Sequence, residues 1–287
     1  MIRLESLPDD AWFEMLSKTF HSSNIDGIEF PGWPPASIQE EVHGASGKQA
    51  LLAAFNFYKQ LKSYADFCEM PFHRDRKILD FGCGYGRITR LFMKDFFQKN
   101  IYGMEPFSQR TQMARKLNPY VTFIESNYTP PSLVRSSFLD YIYAFSIFTH
   151  VSEDLFLGWF KEFHRILNSG GIVVFTIMPP DLFNYIEKLR EKDSEGKPSN
   201  EDSLVLKSIH NTMANTFADM DIARSLFAND QFVFDGQISI SNRLSRYGWS
   251  VFSKKYIQKS LDGMFNIVDF NLTPEGIDQI VVCVQKI

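Results

Sequence analysis

Paired cysteines, clustered histidines, basic blocks and long apolar runs are what this chain lacks, and each shortage removes a class of function. Cys68, Cys83 and Cys283 are isolated, with no CxxC pair. That spacing fits neither a disulfide framework nor a zinc site and suits reduced thiols in a cytosolic setting. His21, His43, His73, His164 and His210 are scattered, with no i, i+4 pair, so no metal site is expected. Lys and Arg are interspersed among a slight excess of acids, for a formal net charge of -4. With no basic block to neutralise successive phosphates, no nucleic-acid partner is expected. No stretch approaches the roughly 18 apolar residues of a membrane span. The first residues, MIRLESLPDDAWFEML, carry acids where a secretory leader carries lysines. A cytoplasmic protein without a membrane span is the expectation.

What the chain does have is apolar material in short, regularly spaced runs. At 287 residues and 44% hydrophobic it can bury a sizeable core. Residues 1–46 hold one short helical pattern and then a turn-rich stretch, PGWPP. From Gly47 to Phe67 the residues Leu51, Leu52, Phe55, Tyr58, Leu61 and Tyr64 recur at three- and four-residue steps, which predicts a helix. Strands and helices then alternate. Strands are predicted at 78–81, 101–104, 121–124, 141–147 and 172–177. Helices are predicted at 88–97, 109–116 and 155–167, the last closed by Asn168-Ser169-Gly170-Gly171. Apolar strands separated by helices imply a mostly parallel sheet covered on both faces. The alternation lapses between about 180 and 247, where KLREKDSEGKPSNEDS is expected as a mobile surface segment. Two last strands, 265–270 and 279–284, are joined through TPEG, too short for a parallel crossover, so they form an antiparallel hairpin.

The segment KILDFGCGYGRITRLF is the most informative. A strand ends near Asp80, Gly82, Gly84 and Gly86 follow at every second position, and a helix is predicted to begin. Glycines there let the backbone turn sharply and approach a ligand with no Cβ in the way. Such units bind dinucleotides and other nucleosides alike. The dinucleotide fingerprint places its third glycine three residues after the second, but that position is Arg87. Asp80 also suits a ligand carrying an ammonium group and opposes a pyrophosphate. The next strand ends in Glu105, within IYGMEP, where a carboxylate can accept both hydroxyls of a ribose.

In these residues the chain resembles the class I, Rossmann-like methyltransferases that use S-adenosylmethionine. DFGCGYG is similar to their first motif and Glu105 matches their ribose-binding acid. The similarity runs over about 47–180 and 249–287. LDFGCGYGR, SIFTHVSEDL and YGWSVFSKKYI further resemble bacterial enzymes that accompany glycosyltransferases. The resemblance implies a three-layer α/β fold with a mostly parallel seven-stranded sheet ending in an antiparallel hairpin. It would have an N-terminal cap over 1–46 and a methyltransferase domain over 47–287, with an insertion at 180–247 after the fifth strand. It implies that Gly82, Gly84 and Gly86 hold the methionine end of the cofactor, with Asp80 near its ammonium group. Glu105 would bind the ribose and Pro106 would border the adenine. Asn127 stands where adenine is recognised, with Glu125 and Ser126 as rivals. Phe145 and Ser146 would lie beside the sulfonium.

Methyl transfer to oxygen needs a base as well as alignment. Phe145-Ser146-Ile147-Phe148 replaces the Asn/Asp-Pro-Pro-aromatic string used on planar amino groups of bases. N-methylation of DNA bases or glutamine is therefore not expected, and the resemblance to enzymes that accompany glycosyltransferases implies oxygen of a sugar, glycan or other small hydroxylated acceptor as the target. His150 is the candidate catalytic base, because imidazole titrates near neutral pH; its other role would be to cap a helix or hold its loop. Thr149, Ser152 and Glu153 are explained by helix capping, and Asp219 and Asp221 by a polar helix surface. Tyr58 is placed to line the cofactor pocket. Two other readings stay open: a cofactor-binding partner subunit without catalysis, and a nicotinamide-dependent oxidoreductase.

Overall fold

The structure, a computed structural model, describes residues 4–194, 212–236 and 248–287. Seven strands form one sheet: β3 (Ile78–Phe81), β4 (Ile101–Glu105), β5 (Thr122–Glu125), β6 (Leu139–Ala144), β7 (Leu167–Ile177), β10 (Phe265–Asn271) and β11 (Ile280–Lys286). Their order is β10-β11-β7-β6-β3-β4-β5. β5, β4, β3, β6 and β7 run parallel, while β11 is antiparallel to both β7 and β10. The mostly parallel sheet and the antiparallel end are as predicted. Two short antiparallel pairs form separate sheets, β1 (Asn24–Ile25) with β2 (Ile28–Glu29) and β8 (Val233–Asp235) with β9 (Trp249–Val251).

Alternation along the strands divides the core in two, because successive side chains point to opposite faces. Ile78, Tyr141, Tyr143, Ile172, Val174, Val281 and Cys283 face α1 (Asp9–Lys18) and α3 (Gly47–Phe67). Leu79, Phe81, Ile142, Val173, Phe175 and Val282 face α5 (Glu153–Ile166) and the C-terminal helix α8 (Lys254–Leu261). The amphipathic α5 buries Leu155, Phe156, Trp159, Phe160, Phe163 and Ile166 on one side. Its acids in the first turn and His164 and Arg165 in the last suit the helix dipole. α4 (Ser108–Leu117) links β4 to β5. A third apolar cluster belongs to the stretch after β7: Leu182, Phe183 and Ile186 on α6 (Leu182–Ser194) pack with Met220 and Ala223 on α7 (Met220–Ala228) and with Val233 and Val251. Most of the charged segment expected to be mobile lies outside the described residues.

Two expectations need correction. The amphipathic helix at 88–97 is a 3-10 segment, Thr89–Lys94, with every residue buried. Arg90 stacks on Trp33 with its guanidinium 3.7 Å from the ring centre, and Lys94 pairs with Asp9 at 2.6 Å. The N-terminal segment thus covers the face that the pattern assigned to water. That segment also holds a helix the sequence reading missed, α2 (Ala36–His43), which starts after Pro35. Asn168-Ser169-Gly170-Gly171 does follow the end of a helix, as expected, since α5 stops at Ile166. The chain passes straight from α5 into β7, and these residues form the irregularity between the pairs Leu139–Leu167 and Tyr141–Ile172.

The sheet order also locates the place for a ligand. From β3 the chain proceeds outward through β4 and β5, then returns to β6 on the other side of β3. A crevice opens at the carboxyl ends of strands where the order reverses in this way. The loop after β3 carries the three glycines, and the loop after β6 carries Phe145, Ser146 and His150.

Candidate functional site

The glycine loop leaves β3 with positive φ at Gly82, Gly84 and Gly86. Two of the three are needed for close packing. A Cβ on Gly82 would lie 2.1 Å from Ile147 Cδ1, and one on Gly86 would lie 2.7 Å from Asn118 Nδ2. Gly84 alone has room above it, the nearest atom to a Cβ being Val42 Cγ1 of α2 at 3.7 Å. Its N–H donates to Glu105 Oε2 at 3.0 Å.

Glu105 is the last residue of β4 and is buried. Its second oxygen accepts from Phe107 N–H at 3.2 Å. Burial raises its pKa, opposed by Arg110 and by the two amides. An ionised carboxylate has about four acceptor positions, so two amides leave capacity for a diol. Pro106 is half-buried directly after it. Asn127 and Glu125 are exposed at the neighbouring end of β5, and Ser126 N–H donates to the Glu105 carbonyl.

Asp80 is buried in β3 between Gly103 and Tyr143 on the flanking strands. Thr89 Oγ1 donates to its Oδ2, and the Tyr143 hydroxyl stands beside it. Burial pushes the carboxyl up to about 7, against the pull of those two hydroxyls and of Arg87. Arg87, itself buried, gives its Nη1–H to the Ala50 carbonyl of α3 and lies over the Phe145 ring. Asp80 is thus a buried acid served by neutral hydroxyls. That environment fits an incoming ammonium group and is hostile to a phosphate.

Across the crevice, Phe145 packs edge-on against Phe57 of α3 at 5.0 Å. Ser146 has φ 59, unusual for a side chain with a Cβ. Its N–H donates to Thr176 Oγ1 at 2.7 Å, and its hydroxyl lies 3.4 Å from Thr149 Oγ1. The strand expected to reach 147 therefore ends at Ala144, where this turn begins.

His150 is tied to the far end of the insertion. Its Nδ1–H donates to the Gly248 carbonyl at 2.9 Å, while Gly248 N–H donates back to the His150 carbonyl at 2.7 Å. The ring packs against Trp249 at 4.5 Å. Burial pulls the imidazole down to about 4, with the Gly248 carbonyl opposing. It is neutral at neutral pH, not poised there as the sequence reading expected.

Other side chains differ from their assigned parts. Tyr58 donates to Asp95 at 2.6 Å and to Asp9 at 3.1 Å, in the network that fastens α1 to α3, so it does not line the crevice. Ser152 holds the N-cap position of α5, but its hydroxyl turns to Asp154. Glu153 accepts from Tyr256. Asp219 caps α7 through Ile222 N–H at 2.9 Å instead of decorating its surface. Thr89, Arg87 and Gln279 were not selected from the sequence. Only Arg87, adjoining the last glycine, carried a positional signal.

Comparison with known proteins identifies the family of the chain. A family model described as a methyltransferase domain matches residues 53–230, more than half of the chain. An uncharacterised methyltransferase of Oceanobacillus iheyensis is 26% identical over 147 residues, 51% of this chain and 63% of that protein. Trans-aconitate 2-methyltransferase of Afipia carboxidovorans is 32% identical over 117 residues, 40% of this chain and 43% of that protein. The chain thus spans less than two thirds of each of these relatives. Among solved structures, the PH0226 protein of Pyrococcus horikoshii superposes with a TM-score of 0.49 at 16% identity, covering 80% of this chain and 90% of that one.

Proposed function

The chain belongs to the methyltransferase-domain family, and from that membership we propose that it is of the class I type, uses S-adenosylmethionine and transfers a methyl group to oxygen of a sugar, glycan or small hydroxylated metabolite. The observation that carries the cofactor half is the pair of buried carboxylates beside the glycine loop. Asp80 would take the ammonium of the methionine end. Glu105, already oriented by Gly84 and Phe107, would take the ribose hydroxyls. Pro106 would border the adenine, with Asn127 nearby, and Phe145 and Ser146 would flank the sulfonium. S-adenosylmethionine supplies an activated methyl on a good leaving group, and alignment is then the protein's main task.

Two features support a hydroxyl acceptor. His150 is held in the tautomer protonated at Nδ1, which makes Nε2 its basic nitrogen. We assign it the role of base toward the acceptor hydroxyl. Beside the start of α5 lies a cavity of about 570 Å³ whose lining includes Phe217, Phe232, Phe234, Glu153, Asp219 and Asp235. Rings and carboxylates together suit a polyhydroxylated compound, whose hydroxyls donate while its C–H faces pack. Residues 1–46 as a cap and 180–247 as an insertion would then select the acceptor, as loops at a carboxyl edge do.

Thermal denaturation tests the cofactor. S-adenosylmethionine or its demethylated product, at a hundredfold over Kd, adds about 2.7 kcal/mol of stability, whereas NAD and NADP add none. Stabilisation by NAD alone overturns the reading. Labelled methyl transfer to a panel of saccharides and small alcohols tests the acceptor, and label found only on amines or thiols excludes oxygen.

A further inference from the structure

Two local penalties meet where β6 ends. Ser146 adopts a left-handed backbone, which is strained for a residue with a side chain. In contact with it, Gln279 has a buried side-chain carbonyl with no hydrogen-bond partner among the described residues, a further cost. Proteins keep such paired costs at functional sites more than elsewhere.

Sheet topology explains how Gln279 gets there. It precedes β11, which is antiparallel to β7 and pairs Ile280 with Ile177, the last residue of β7. The start of β11 therefore lies at the carboxyl edge of the parallel strands, beside the crevice. Gln279 Nε2–H donates to Ser146 Oγ at 3.0 Å. Ser146 can pass its own hydroxyl proton to Thr149 Oγ1, 3.4 Å away, and so receives the amide N–H on a lone pair. The amide lies with its nitrogen toward Ser146.

We propose that Gln279 is a positioning residue whose side-chain carbonyl faces the sulfonium and its methyl group, held in that pose by Ser146. The proposal rests on the reading of this crevice as the S-adenosylmethionine site, and residue 279 lies outside the stretch matched by the family model. A carbonyl oxygen in a water-poor site attracts a sulfonium cation and its polarised methyl hydrogens, but gains nothing from the neutral thioether left after transfer. Because the attraction is strongest before the methyl leaves, its main effect is on binding and not on the barrier. Gln279 thus favours donor over product.

The test compares the affinities of S-adenosylmethionine and S-adenosylhomocysteine by calorimetry in wild type, Gln279→Leu and Gln279→Glu. The Leu variant removes the unpaired carbonyl and is expected to fold. It loses roughly tenfold in donor affinity, about 1.4 kcal/mol, while product affinity changes by less than about twofold. The Glu variant, returning an oxygen to the same place, restores the preference for donor. Equal losses for both ligands in the Leu variant mean a merely structural residue and overturn the proposal, as does an unchanged donor-to-product ratio. A wild-type protein that binds neither compound instead overturns the cofactor reading, and the proposal with it.

Discussion

Replacing Asp80 by Asn separates what this carboxylate costs the fold from what it offers a ligand. The side chain keeps its shape and loses its charge. In the folded protein burial raises the Asp80 pKa from 3.8 to about 7. Each pKa unit corresponds to about 1.4 kcal/mol, so the ionised form is disfavoured by up to about 4 kcal/mol. An acid with a raised pKa contributes stability that is complete below its unfolded pKa and is lost as pH rises through the folded one. The ligand-free wild type is therefore expected to lose stability between about pH 4 and pH 7 on account of this group, and Asp80→Asn is expected to flatten that part of the profile. Urea unfolding at pH 5 and pH 8 measures it, the variant gaining on wild type at the higher pH. Ligand binding should move the opposite way. An ammonium group placed beside Asp80 favours its ionised form, so wild type releases about half a proton on binding at pH 7, read by calorimetry in buffers of different ionisation enthalpy. Asp80→Asn releases none there and binds S-adenosylmethionine more weakly. Identical pH–stability profiles for the two proteins, or an unchanged affinity in the variant, would refute the reasoning.

Glu105→Ala is expected to weaken S-adenosylmethionine binding by roughly 1.5–3 kcal/mol, the worth of hydrogen bonds to a charged group, with the fold retained; unchanged affinity by calorimetry dismisses it as the ribose acid. His150→Ala is expected to leave that affinity nearly intact and to lower turnover by roughly 10²–10⁴ if His150 is the base. With the imidazole pKa at about 4, the wild-type rate should be flat from pH 6 to 8 as far as this group is concerned. A variant that loses stability but keeps its rate leaves His150 only the work of holding Gly248.

Several features of the site were legible because they depend on neighbours in the chain. The glycine spacing, Asp80 before it and Glu105 at the next strand end all lie in two adjacent strands and the loop between them, and short apolar runs, the first stopped by glycines, mark those strands. The helix Gly47–Phe67 is legible because one face is apolar along its whole length. Periodicity failed at 88–97 for a definite reason: it assumes that charged residues mark the side facing water. Arg90 instead gives its Nη1–H to the Gly32 carbonyl at 3.0 Å and stacks on Trp33, and Lys94 finds Asp9. All of these partners come from the first 33 residues, so no local window contains them. The same limit applies to chemistry. The spacing that nominated His150 could not reveal that its ring is engaged by Gly248, 98 residues later, and it is that environment which removes the near-neutral titration. The terminal hairpin could be predicted from its short connection, but the relevance of Gln279 requires knowing which edge of the sheet receives the start of β11. An antiparallel strand entering a parallel sheet brings its first residue, and not its last, to the ligand edge. That reversal places a residue near the C-terminus of the chain beside the end of β6, where the transferring methyl is expected to lie.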